Sequence, residues 1–262
     1  MLDLRRLFAV ADLCPISLEV NLYVNNEWEF LLRGSPQTLW SLSYQMRSAY
    51  FSIYEVPDFY NECSVNDYRF QSLYCNAKDD YQLVWQIGYE LISLFNGACS
   101  LFDSNFEKIE IEQLWNNGVR QDYYKNPDWF GLLGKPDISE ESIAAEFQKV
   151  KSDPCLALIH KATEDLGLYL ILKYFNMEKN WVTYYKILES LEELAKEECT
   201  TLLIDSAARQ QFKNAANNYL LSGIHSRHGR KNLKDNKTPA MKLSEAHDFI
   251  RDIAKQYVKA KI

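Results

Sequence analysis

Apolar and polar residues alternate from Ile16 to Val24, where Ile16, Leu18, Val20, Leu22 and Val24 are separated by Ser17, Glu19, Asn21 and Tyr23. The alternation resumes at Trp28, Phe30 and Leu32. A period of two places the apolar set on one face of a strand. Asn25-Asn26 between the two runs tolerates a tight turn, so the pattern predicts a β-hairpin ended by Gly34-Ser35-Pro36. The stretch that follows, to about Tyr74, is rich in Tyr, Phe and Ser without a clear period. It accommodates either further strands or a helix around Thr38 to Tyr50.

Helical spacing appears next. Leu83, Ile87, Leu91, Leu94-Phe95 and Ala98 recur at intervals near 3.6 residues, and Asp79-Asp80 supply an acidic start, predicting a long helix from Asp79 to Phe102 that Gly88 and Gly97 weaken slightly. Phe106, Ile109, Ile111 and Leu114 suggest a return to strand, before a loop-rich stretch containing Asn116-Asn117-Gly118, Asn126-Pro127 and Lys135-Pro136. From Ser139 onward the pattern is helical throughout. Ser139-Glu140-Glu141 opens a short helix, and Asp153-Pro154 opens a longer one to about Asn176, with Leu158, Ala162, Leu166, Leu170 and Phe175 toward a core. Asn180 caps a helix through about Glu197, another runs from Ile204 to Tyr219, and the last starts at Ser244 with Ala246, Phe249-Ile250, Ile253 and Tyr257 on its apolar face. The expected fold is α+β: an N-terminal hairpin and strands packed with a long helix over residues 1–136, and a helical bundle over residues 137–262, divided by a soft boundary.

Composition narrows the class of protein. With 47% hydrophobic and 25% charged residues and only 9 Gly and 7 Pro in 262 positions, the chain is an ordinary folded protein rather than a fibrous or disordered one. Its six cysteines are scattered without a Cys-x-x-Cys pair, which reads as reduced thiols. The apolar stretch after Arg5-Arg6 is too short for a signal peptide, and the longest central run, Leu166 to Leu172, falls far short of the roughly twenty residues of a membrane span. A cytoplasmic location without membrane contact is expected.

Charge changes the picture more than composition does. The net value of −7 hides an asymmetry: residues 209–262 carry 12 Lys and Arg against 4 Asp and Glu, a local +8, which leaves −15 on residues 1–208. Three of the four histidines, His225, His228 and His247, share that basic end. Its text runs Phe212-Lys213-Asn214-Ala215-Ala216-Asn217-Asn218, then Ser222-Gly223, then Ser226-Arg227-His228-Gly229, a Lys-rich loop, and Pro239, Met241, Leu243 and Glu245-Ala246. With Leu94-Phe95-Asn96-Gly97-Ala98 and the helix from Trp181 to Glu189, these strings resemble a group of bacterial proteins with a C-terminal Arg-His-Gly signature. The layout of residues 150–262 resembles HEPN-type helical domains, in which a polar Arg/His motif at a helix end is followed by a loop and a final amphipathic helix.

The resemblance implies an intracellular toxin or anti-phage (antiviral) defence protein acting on RNA. In active HEPN ribonucleases four to six residues separate an Arg from the His after it, and two subunits build the site. Here no basic residue stands at that spacing before His225 or His228, and Arg227 abuts His228 instead. Metal-independent cleavage through the 2′-hydroxyl would need His228 to move protons, Arg227 to hold the charged phosphorane, and Asn217 to orient by hydrogen bonding. Arg230, Lys231, Lys234 and Lys237 are candidate contacts to phosphate or to an acidic partner.

Other uses compete for the same residues. Arg227 and His228 can satisfy carbonyls at a helix C-terminus with Gly229 as a left-handed cap. His225-x-x-His228, completed by Asp235 or His247, is half of a weak metal pattern. Paired Glu192-Glu193 and Glu197-Glu198 read as a solvated helix face, and no Gly-rich phosphate loop or nucleophile elbow is present. No cofactor or metal is therefore expected. The expected partners are a second copy or another protein, with RNA as a ligand of the basic end, and the alternative to a nuclease is a non-catalytic assembly or regulatory subunit of a defence complex.

Overall fold

The computed structural model describes residues 27–56, 66–121, 131–230 and 239–261. Among the described residues nine α-helices and a five-stranded antiparallel sheet make the fold α+β, as the two periodicities predict. Contacts cluster into two units: Met1–Ile92 with Glu107–His160, and Ser93–Phe106 with Lys161–Ile262. The divisions fall at Ile92/Ser93, Phe106/Glu107 and His160/Lys161, and not at the loop-rich stretch before residue 137.

The first unit contains the sheet. Strands β1 (Trp28–Arg33), β2 (Ser52–Val56), β3 (Asp67–Gln71), β4 (Glu110–Asn116) and β5 (Val119–Gln121) lie in the order β2-β3-β1-β4-β5. Helix α1 (Pro36–Gln45) starts with Pro in its first turn, so the undecided stretch to Tyr74 holds both alternatives, a helix first and then strands β2 and β3. The register aligns Ile53 with Phe70, Phe70 with Phe30 and Phe30 with Leu114, so four fully buried side chains cross the sheet in one row. Phe30 and Phe70 stack with centroids 5.4 Å apart.

The expected hairpin meets this arrangement only in part. Its first arm, Ile16 to Val24, lies outside the described residues. The second arm is β1, whose neighbours are β3 and β4 from later in the chain. A tight hairpin among the described residues joins β4 to β5 through Asn117-Gly118, both at positive φ (48° and 78°), which is the backbone such a two-residue turn demands.

Helix α2 (Tyr81–Phe102) is the long helix foreseen from residue 79, and its first turns face the sheet with Val84, Trp85, Ile87 and Leu91 buried. Gly88 and Gly97 are its points of closest approach. A Cβ at Gly88 would overlap the Phe30 ring, and one at Gly97 would overlap the Leu172 carbonyl. The two glycines cost helix propensity and in exchange admit neighbours that any side chain would push away. Helix α3 (Glu140–Val150), capped by the Ser139 hydroxyl, completes this unit with the first residues of α4 (Pro154–Ala162).

The second unit is helical. The chain expected to be one helix from residue 153 to 176 breaks into α4 and α5 (Leu166–Phe175), because Asp165 leaves the helix and accepts the Leu168 N–H at 2.9 Å. The break shifts the apolar phase, leaving Leu166 exposed while Leu168, Tyr169, Ile171 and Leu172 are buried. Asn180 caps α6 (Trp181–Glu197) by accepting the Thr183 N–H, and Asp205 caps α7 (Ser206–Asn217) by accepting that of Ala208. A single turn, α8 (Tyr219–Ser222), follows, and α9 (Leu243–Lys259) closes the described chain. Phe212 of α7 packs between Trp181 and Tyr185 of α6 and Phe249 of α9.

Gly97→Ala therefore forces a Cβ against a backbone carbonyl that cannot rotate away. We expect a loss of about 1–3 kcal/mol in denaturant unfolding, whereas an unchanged midpoint would mean that the two backbones are not in contact.

Candidate functional site

The segment after α7 folds back on the helix it leaves. Asn218 departs from helical backbone (φ −100°, ψ 112°), and its side chain accepts the Leu220 N–H at 3.0 Å, starting α8. Gly223, at φ +57°, ends that turn, and a 3₁₀ turn spans Gly223–His225. The Arg227 N–H then donates to the Ala216 carbonyl at 2.7 Å, while the Ser226 hydroxyl donates to the His228 carbonyl. Of the three residues expected to act together, Arg227 is thus brought against the last turn of α7, where Asn217 sits.

The Arg227 side chain is committed elsewhere. Its guanidinium lies 3.9 Å from the centroid of the buried Tyr185 ring and 3.4 Å from the Glu189 carboxylate, one turn along α6. Further along the same face Glu192 accepts two hydrogen bonds from Arg209, at 2.6 and 2.9 Å, and has Lys213 at 3.8 Å. Arg209 holds the Glu192 carboxyl below its ordinary pKa, against the opposing pull of burial. Positions 185, 189 and 192 form one stripe of α6, and the cations of α7 and of the following turn line up along it. The pairing of Glu192 corrects its reading as a merely solvated residue.

His228 is half-buried, and Asn217 is half-buried with a side-chain oxygen that has no hydrogen-bond partner among the described residues. Gly229 is not in the left-handed region, so the cap expected of it belongs to Gly223. The carbonyl at the helix end is satisfied by the backbone of Arg227 rather than by its side chain. Arg230 is exposed, whereas Lys231, Lys234 and Lys237 lie outside the described residues, as does Asp235. Beside Arg227 stands an apolar patch that sequence reasoning passed over: Leu220, Leu221 and Ile224 are 55%, 43% and 85% exposed.

His247 sits elsewhere, in the first turns of α9. It is 8% exposed, and its Nδ1 shares a 2.9 Å hydrogen bond with the Tyr184 hydroxyl of α6. Among the described residues no group of His, Cys, Asp and Glu is placed to hold a metal ion, and no helix is long and apolar enough to cross a membrane. No protein-family model, curated protein or solved structure matches the chain.

The arrangement makes two predictions. A cation over a ring contributes roughly 0.5–2 kcal/mol depending on its exposure, so a double-mutant cycle with Arg227→Ala and Tyr185→Leu should return a coupling in that range. Strict additivity would exclude the contact. Burial, then Lys179 and Arg251, push the His247 pKa below 6.5, with Asp248 opposing and Lys255 adding to the depression. The unfolded chain then takes up this proton first, so the contribution of His247 to stability is complete above about pH 6.5 and lost as pH falls through the lower folded-state value. Urea unfolding at pH 8 and pH 5 should show a steeper loss for the native chain than for His247→Gln, by at most about 1.4 kcal/mol per pH unit; equal slopes would contradict a buried neutral imidazole.

Proposed function

We propose that this chain is a non-catalytic assembly or regulatory protein of the HEPN-like helical type, belonging to a bacterial toxin or anti-phage defence system. One observation carries the reading: the guanidinium of Arg227, the group a nuclease would need on its phosphorane, already lies on Tyr185 and faces Glu189. An arginine so placed holds the turn of residues 219–227 onto α6 and α7.

The same turn presents Leu220, Leu221 and Ile224 to solvent. Its occupant is a second copy of the chain, because the basic end of +8 is complementary to the −15 carried by residues 1–208, and a two-fold pair makes that contact twice. Apolar side chains supply the affinity, and Arg230 at the edge supplies the register.

A second reading, metal-independent cleavage of RNA, draws on the half-buried His228 and on the oxygen of Asn217, which has no partner among the described residues. Mass measured by sedimentation across a concentration series separates the two. We expect a dimer that weakens with added salt and that Ile224→Asp weakens at least tenfold, since full burial of an isoleucine contributes roughly 1.5–3 kcal/mol. A chain that stays monomeric throughout defeats the docking. Metal-free RNA cleavage by the native chain, abolished by His228→Ala with the fold intact, would replace the assembly reading by the nuclease.

A further inference from the structure

Helix α9 carries a second basic feature, apart from the Arg227 turn. His247, Arg251, Lys255 and Lys259 stand at intervals of four, one per turn, and so share a stripe of the helix. Part of that stripe is buried: His247 is 8% exposed and the Arg251 side chain 19%. We propose that this stripe is an anion site for a phosphoryl group, with Arg251 and Lys255 as its donors and His247 as a positioning residue.

Missing acceptors point to the ligand. The Nε of Arg251 and the Nε2 of His247 are both buried without a hydrogen-bond partner among the described residues. A guanidinium N–H is always a donor, and native interiors leave few such groups unpaired. Among the described residues the ion pairing on the stripe is modest: Asp248 reaches an Arg251 terminal nitrogen at 3.0 Å from a side chain that is 63% exposed, where screening by water is strong. The Tyr184 hydroxyl on Nδ1 fixes the imidazole ring. Lys179, at the entry to α6, adds positive charge near His247 while its ammonium donates to the Ser104 carbonyl at 2.6 Å.

The field on Lys255 has the same sign. Burial first, then Arg251 and Lys259, lower its pKa against the opposing effect of Asp252 and Asp248, so its ammonium is only partly compensated by negative charge. An oxyanion with several acceptor oxygens and up to two charges answers both shortages. A phosphoryl group does so better than a singly charged carboxylate with two oxygens. The same chemistry is offered by free phosphate compounds and by the backbone of RNA.

The test uses the full chain. Inorganic phosphate titrated at constant ionic strength and followed by equilibrium dialysis should bind saturably, where acetate and chloride do not compete for the site. Arg251→Gln and, separately, Lys255→Gln should each weaken that binding about tenfold, the size of one charge-assisted hydrogen bond. Lys255→Gln, on a less buried position, keeps the test decisive should Arg251→Gln fail to fold. A single-stranded RNA probe read by fluorescence anisotropy separates the sources. If the backbone is the ligand, each variant reduces the salt slope by about 0.7, the value of one lost phosphate contact; an unchanged slope beside saturable phosphate binding assigns the site to a free phosphate compound. The absence of saturable phosphate binding, or equal binding by Lys255→Gln, overturns the site. None of these readouts depends on dimerisation through Ile224 or on cleavage by His228.

Discussion

The second unit is organised by helix α6, which has to satisfy two different neighbourhoods along one rod. One face is apolar and aromatic: Trp181, Tyr184, Leu188 and Leu191 are buried, and α5, α7 and α9 all pack on this helix. The adjoining stripe, Tyr185, Glu189 and Glu192, is aromatic and acidic, and it receives Arg227, Arg209 and Lys213. Because consecutive helical residues diverge by about 100°, a seventeen-residue helix can present both faces at once. The placement of the Arg-His-Gly segment follows from this. It lies against α7 because a backbone hydrogen bond ties it there, and it lies along α6 because the acidic stripe neutralises its cation.

This explains why the helices were legible in the sequence and the site was not. Capping residues act within three positions of themselves, so Ser139 and Asn180 mark helix starts whatever the rest of the chain does. Asp165 acts by the same local chemistry, but an uninterrupted apolar pattern hid it, and two helices read as one. The partners of β1 are a different matter. They come from strands some 40 and 80 residues downstream, and a period of two states which face is buried without stating which strand lies alongside. Asn117-Gly118 was the clearer turn signal, with a glycine that Asn25-Asn26 lacks.

The charge asymmetry of the chain likewise divides into local terms. Arg209, Lys213 and Arg227 of the basic end are met by Glu192 and Glu189 inside the same unit, so part of the +8 is neutralised where it arises. Lys261 is met by Asp165 and Glu198. Among the described residues, the stripe of α9 keeps weaker compensation, and burial and like charges depress the Lys255 pKa there. Net charge over a segment thus indicates where cations are concentrated, whereas the burial and pairing of each one indicates which can still receive a ligand.

The magnitudes decide what Arg227 can do. Leaving Tyr185 and Glu189 would forfeit roughly 0.5–2 kcal/mol of cation–ring attraction and up to about 1 kcal/mol of half-exposed ion pair. A charge-assisted hydrogen bond to a phosphate returns roughly 1.5–3 kcal/mol. The two nearly cancel, so an Arg227 drawn from its present place onto a phosphorane would gain little of the several kcal/mol that a preorganised charge contributes to catalysis. Preorganisation is the quantity at issue, and at this position it is directed toward Tyr185. An arginine held by its neighbours in this way favours a stable surface turn, and Leu220, Leu221 and Ile224 are the apolar side chains which that turn presents to solvent.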